Sequence, residues 1–212
     1  MNTSTQQVRK SILFLAAVFV LAVPVLEGCA AKGAKTAAAT DTTKKAVSKP
    51  VEMFDTGSTL HTLTNLHPDP KKHQLYSSNF LLEGDLIPRC TAVKVVDANK
   101  KRFVFTIKDV EYKYDLNPHS TPDGLDADLK QYFGKSCDAG AVSKLSATDQ
   151  KGIREGKAYV GMSKQGVIYA IGYPPVTPTT PSMSAPVWKY FHNRFNTMNV
   201  EFNGNTVSKI VD

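Results

Sequence analysis

The stretch Tyr159–Pro175, "YVGMSKQGVIYAIGYPP", decides how the C-terminal part of the chain folds. Ser163 is a good helix N-cap, because its hydroxyl accepts a hydrogen bond from a free N–H of the first turn. With Ser163 as cap, Met162 falls at N′ and Val167 at N4, the hydrophobic-staple spacing that fixes how a chain enters a helix. Val167, Ile168, Ala170 and Ile171 form one apolar face. Gly172 suits the left-handed C′ conformation, and Pro174 forbids continuation. The reading is a two-turn helix fenced by Gly161 and Gly172. So short a helix is not stable alone, and the sequence around it must supply its support.

That support lies on both sides. "SATD" at Ser146–Asp149 is a capping-box signature, opening a first helix that carries Ile153. Downstream, a loop "YPPVTPTTPSMSAPV" (Tyr173–Val187) leads to "WKYFHNRF", "MNVEF" and "TVSKIV". Asn203-Gly204 is a type I′ hairpin signal. Two helices followed by a three-stranded antiparallel meander result, with the short helix lying on the sheet. Alternation sends Trp188 and Tyr190 to one face and Phe191 and Phe195 to the other. One pair packs on the helices, and the pair that faces away is a candidate interface.

"GIREGKAYVGMSKQGVIYAIGYP", then "WKY", then "VEFNGNTVSKI" resemble the SmpA/OmlA (BamE-like) family of outer-membrane lipoproteins. The matching positions are Gly161, Met162, Ser163, Val167, Gly172 and Pro174, then Trp188 and Tyr190, then Phe202, Gly204 and Val207. One position departs: the family carries Glu or Gln where Gly166 stands, at N3. Losing that capping-box partner should weaken the helix start by up to about 1 kcal/mol. The resemblance implies an ααβββ two-layer domain over residues 145–212. It also implies a role in assembling or stabilising outer-membrane β-barrel proteins. The shared residues are glycines, caps and core apolars, so they carry the fold over better than the function.

Residues 75–118 alternate with period two. Phe103, Phe105 and Ile107 share one face, and Tyr112, Tyr114 and Leu116 share another. With turns at Ala98–Lys101 and Lys108–Val110, this reads as an antiparallel meander with one face buried. "IPRCTAVKV" resembles bacterial SH3-like barrels, which read Ile-Pro-x-Gly-Thr-x-Val; Cys90 stands where that Gly would be. "PDGLDADLKQYFG" reads as a helix with Leu125, Leu129, Tyr132 and Phe133 on one face, ended by Gly134. Asp123, Asp126 and Asp128 crowd its start, where acids favour the helix dipole; general acid–base work is the competing reading. His61, His67 and His73 fit no metal-ligand spacing, and residues 58–74 read as an irregular exposed segment. The whole is an α+β chain: a small antiparallel SH3-like β domain with a C-terminal helix over 58–144, then the ααβββ domain over 145–212.

Residues 1–28 carry Arg9 and Lys10, an apolar run Ile12–Leu26, and "LEGC". This reads as a secretory signal, with a single membrane span as the alternative. Leu26, Gly28 and Cys29 resemble a lipobox, from which Glu27 departs. The resemblance implies lipidation of Cys29 and an outer-membrane, periplasm-facing location. Residues 29–57 form a flexible tether; about 28 coil residues reach about 30 Å. Of the net charge of +7, removing two cations (Arg9, Lys10) and one anion (Glu27) leaves +6. An exported basic chain points to anionic lipid, peptidoglycan or acidic protein surfaces rather than nucleic acid. Cys90 and Cys137 form an even pair in an oxidising compartment, either as a disulfide or as buried thiols. No catalytic, phosphate-loop or metal motif is present, so no cofactor or catalysis is expected. The expected function is non-catalytic binding of a partner in outer-membrane protein assembly or envelope integrity. The alternative is a peptidoglycan- or peptide-binding module acting through the SH3-like barrel. Tyr173, Pro175, Val176 and Pro178 of the proline-rich loop, with Trp188, Tyr190 and Arg194, are the candidate partner-binding residues.

Overall fold

A computed structural model describes residues 53–177, 180 and 182–212. The signal, Cys29 and most of the tether lie outside the described residues. Strands β1 (Thr59–Thr62), β2 (Gln74–Tyr76), β3 (Ala92–Ala98), β4 (Arg102–Ile107), β5 (Val110–Asp115) and β6 (Phe133–Gly134) form one sheet in the order β2-β5-β4-β3-β1-β6. The expected meander is β3-β4-β5. Phe103, Phe105 and Tyr114 are buried as the alternation requires, with Tyr112 and Leu116 packed against them. Helix α1 (Leu125–Tyr132) adds Leu125, Leu129 and Tyr132 to the same core.

Three expectations change here. The segment 58–74 is not an exposed approach: it supplies β1, and Thr62, Thr64, Asn65 and His67 are buried. The sheet is mixed, because β2 runs parallel to β5. Helix α1 stops at Tyr132, since Phe133 turns extended and joins β6, so Gly134 lies in a strand. One local signal gains a reason. Cys90, which occupies the glycine place of the resembled pattern, has φ 65°, a left-handed conformation costing an L residue about 1–2 kcal/mol.

Helices α2 (Ala147–Glu155) and α3 (Lys164–Ile171) pack on a three-stranded antiparallel sheet of β7 (Val187–Phe191), β8 (Thr197–Asn203) and β9 (Thr206–Val211). The core between them holds Met162, Val167, Ile171, Trp188, Tyr190 and Val200. The β8–β9 turn closes one residue later than expected: Asn203 pairs with Thr206, so Gly204-Asn205 is the turn, with Gly204 at φ 61°.

Both ends of α3 are held from outside the helix. At its start, Ser163 Oγ accepts from the Gly166 N–H at 3.0 Å. The Ser163 N–H donates to Asp149 Oδ1 at 2.7 Å, and the Ser163 hydroxyl also donates to that carboxylate. Asp149 thus stands where the missing N3 side chain would reach, and it accepts the Ser146 hydroxyl at 2.8 Å as well. A Cβ at Gly166 would overlap the Asp149 carboxylate, so the glycine makes room for a cap that arrives from α2. At the other end, Tyr169 O accepts from the Asn65 N–H at 2.9 Å, and Ile171 O from Asn79 Nδ2 at 2.8 Å. Ala170 O accepts from Asn65 Nδ2 and His67 Nε2, each at 3.3 Å. Every carbonyl that a helix terminus leaves unpaired is met by another element or by Gly172.

These donors come from the N-terminal segment, so the two segments expected as successive domains meet along a polar seam. Asn65 Nδ2 also donates to Ile153 O at 2.6 Å. Arg89 donates to Leu63 O and Asp138 O, and its guanidinium lies 4.2 Å from the Tyr169 ring centre. All described residues belong to one compact unit.

Candidate functional site

The proline-rich loop is a strap pinned along the outer edge of β7. Thr180 Oγ1 donates to Val187 O at 3.2 Å and accepts from the Lys189 N–H at 2.8 Å. Lys164 Nζ donates to Met183 O at 3.1 Å. Tyr173 is half-buried against both cores, and its carbonyl accepts from Asn79 and from the Tyr132 hydroxyl. Pro174 and Pro175 are buried. Two apolar side chains face outward, Val176 at 47% and Met183 at 39% exposure. A segment already held in place loses little backbone entropy on docking.

Val176 and Met183 stand on one wall of a cleft of about 130 Å³. The opposite wall is α1 and the turn before it, with Thr121, Asp123, Asp128 and Tyr132. Asp128 is 8% exposed and accepts from the Tyr114 hydroxyl at 2.7 Å. Burial pushes its carboxyl up to about 7, against the opposing pull of that hydrogen bond. Asp128 is therefore no solvated dipole partner of α1, as its position near the helix start suggested. Thr121 is 7% exposed, and its hydroxyl has no hydrogen-bond partner among the described residues. A second, wider cleft of about 570 Å³ lies between Leu81–Leu86 and β8–β9. Part of its charge is already engaged: Asp212 by His192 at 3.3 Å, and Glu155 by the Tyr159 hydroxyl.

The candidate residues separate. Tyr173, Pro175 and Val176 line the cleft together. Pro178 lies outside the described residues. Trp188 and Tyr190 are fully buried under the helices, with the Tyr190 hydroxyl donating to Gly172 O at 3.0 Å. They are core residues and present no surface to a partner. Of their expected alternation partners, Phe191 lies on the other face of β7, half-buried against Phe80 with ring centres 6.4 Å apart; Phe195, expected on the same strand, lies beyond the end of β7 in the turn to β8 and is 85% exposed. Arg194 is exposed on the same turn, its guanidinium 5.9 Å from the Phe195 ring. Cys90 and Cys137 lie at disulfide distance, Cα atoms 5.3 Å apart. Among the described residues no cluster of three or more His, Cys, Asp or Glu could hold a metal ion, and no helix is long and apolar enough to cross a membrane.

Sequence reasoning missed Thr121, Asp128 and Phe80 as surface-building residues. Asp128 carried the only signal, as an acid at the buried spacing of α1 beside Leu125 and Leu129. Searches for similar proteins add nothing to this geometry: no family model, no curated protein and no solved structure matches the chain.

Proposed function

We propose that this chain is a non-catalytic envelope lipoprotein, anchored through Cys29, that docks on a partner protein of the outer membrane. The middle sheet is read as SH3-like and the segment 145–212 as BamE-like, in line with the resemblances above. The observation that carries the docking reading is the strap: two exposed apolar side chains, Val176 and Met183, on a segment held to β7 through the Thr180 hydroxyl and to α3 through the Lys164 ammonium. Surface apolar groups on fixed backbone are what a recognition site needs. The second apolar feature, Phe195 beside Arg194, has the composition of an interface hot spot and would extend the contact.

Photo-crosslinkers at Val176 and at Phe195 in native envelopes test this. Adducts to one outer-membrane protein at Val176, absent from a control at exposed Lys209, support it. Adducts to peptidoglycan instead would favour the wall-binding reading. The anchor is tested separately: the Cys29→Ala chain should lose fatty-acid labelling and leave the membrane fraction. If the unaltered chain takes up no label, Glu27 defeats the lipobox and the anchor is wrong.

A further inference from the structure

The cleft between the strap and α1 is unusual in its charge. The chain has 26 Lys and Arg against 19 Asp and Glu. Yet the cleft is lined by two carboxylates, Asp123 and Asp128, and by no Lys, Arg or His. The strap from Pro174 to Pro186 carries no charged residue at all. Against its wall sits the buried Asp128 carboxyl, with one oxygen engaged by Tyr114 and the other without a partner among the described residues; the Thr121 hydroxyl, also partnerless, presents no accessible surface to the cleft. A buried hydroxyl left without a partner is costly, and a carboxyl without a counter-charge more so. A donor-rich cation at the free carboxyl oxygen relieves the second.

We propose, building on the docking reading, that the cleft receives the side chain of a lysine from the partner protein, its ammonium against the free Asp128 carboxyl oxygen and its stem against Tyr173 and Pro175. The volume suits this. Cavities of about 150 Å³ hold a benzene-sized guest of six heavy atoms, and an aminobutyl stem has five. The donors of an ammonium match the free Asp128 oxygen and the exposed carboxylate of Asp123. A lipid ethanolamine brings a phosphate, for which the lining offers no cation. Val176 and Met183, at the mouth, would cover the residues flanking the lysine.

The groups facing Asp128 are Tyr114 from β5 and Tyr132 from α1, with Asp123 at the mouth; none is cationic. A bound ammonium therefore displaces the Asp128 proton, and binding releases a proton into solution below neutral pH.

The test uses the purified full chain in detergent, with Nα-acetyl-lysine methylamide as probe, followed by NMR and by calorimetry at pH 6 in two buffers of different ionisation enthalpy. Saturable binding is expected, with close to one proton released. It should weaken at least tenfold in Asp128→Asn and vanish for the Nε-acetylated probe. Equal binding of the norleucine analogue, or no change in Asp128→Asn, overturns the proposal. Tighter binding to phosphatidylethanolamine vesicles than to phosphatidylcholine vesicles, abolished by Asp128→Asn, overturns the choice of lysine. The two readings fail separately. Probe binding without Val176 crosslinks sinks the docking reading alone. Crosslinks that persist at full yield in Asp128→Asn sink this one alone.

Discussion

Asp149 and Asp128 are both buried acids on short helices, and they do opposite things. Asp149 accepts hydrogen bonds from the N-caps of α2 and α3 at once. Asp149→Ala should cost about 2 kcal/mol, because it leaves the Ser163 N–H unpaired. Gly166→Glu restores the residue type of the resembled family, yet it should destabilise by about 2–3 kcal/mol, since its Cβ collides with that carboxylate. In the Asp149→Ala background the same change should be nearly neutral or stabilising. A denaturant double-mutant cycle with coupling of about 1 kcal/mol or more checks this; additive effects would refute the shared cap. Asp128 works against the fold at neutral pH. Its folded carboxyl titrates at about 7, while an unfolded one titrates near 3.9. The folded state thus holds a proton that the unfolded state has released, and stability falls as pH rises between about 4 and 7. The loss is about 2–4 kcal/mol. In Asp128→Asn, melting temperature plotted against pH should flatten across that window, and the variant should exceed the native chain at pH 8. A slope that survives would place the titrating group elsewhere.

At the scale of elements, the strap divides into parts with different duties. Loops seldom pack in cores, and on that ground alone a change at Pro175 would leave stability untouched. Its burial reverses that expectation. Pro175→Ser should lower the melting temperature by several degrees, while Val176→Ser and Met183→Ser should leave it within about a degree and still reduce crosslinking to the partner. Losing capture and stability in step, at all three positions, would mean the strap is only structural. Much of this level was legible in the chain. Ser146, Ser163 and the Met162–Val167 staple mark α2 and α3 correctly, because caps and staples are local. Phe103, Phe105 and Tyr114 announce their face by period two. What stayed hidden depends on distance in sequence. Nothing near Thr59–Thr62 shows that it pairs with β3 and β6. Tyr173 and Pro175 were legible as loop residues, but the cleft they wall needs Asp128 from a remote helix and Thr121 from the turn before it. Trp188 and Tyr190 were legible as one face of a strand; which face was buried was not, since Phe191 and Phe195 are equally aromatic.

For the molecule as a whole, the seam decides cooperativity. Asn65, His67 and Asn79 donate into α3, and Arg89 stacks on Tyr169. Separating the halves would strand these groups, so unfolding should be a single transition. Trp188, the only tryptophan, sits in the second core, whereas Cys90 and Cys137 lie beside the first. A bridge between them encloses a separation of 47 residues, worth about 4 kcal/mol in the chain-entropy account. Reductant should therefore shift the Trp188 fluorescence melt downward by several degrees. A Trp188 melt that ignores the reductant would show two independent folding units. For the same reason, deleting residues 75–134 cannot isolate the function of the remainder, because it removes Asn79 and the floor beneath Tyr173. The seam also sets an order in time. Asn65 reaches Ala170 across 105 positions, and Asn79 reaches Ile171 across 92. A chain delivered N-terminus first, through a ribosome tunnel or a translocation pore, exposes these donors long before their acceptors emerge. Such long closures are slow and leave aggregation-prone surface uncovered. Until the end of α3 has come through, Asn65, His67 and Asn79 stand without the carbonyls they serve in the folded chain.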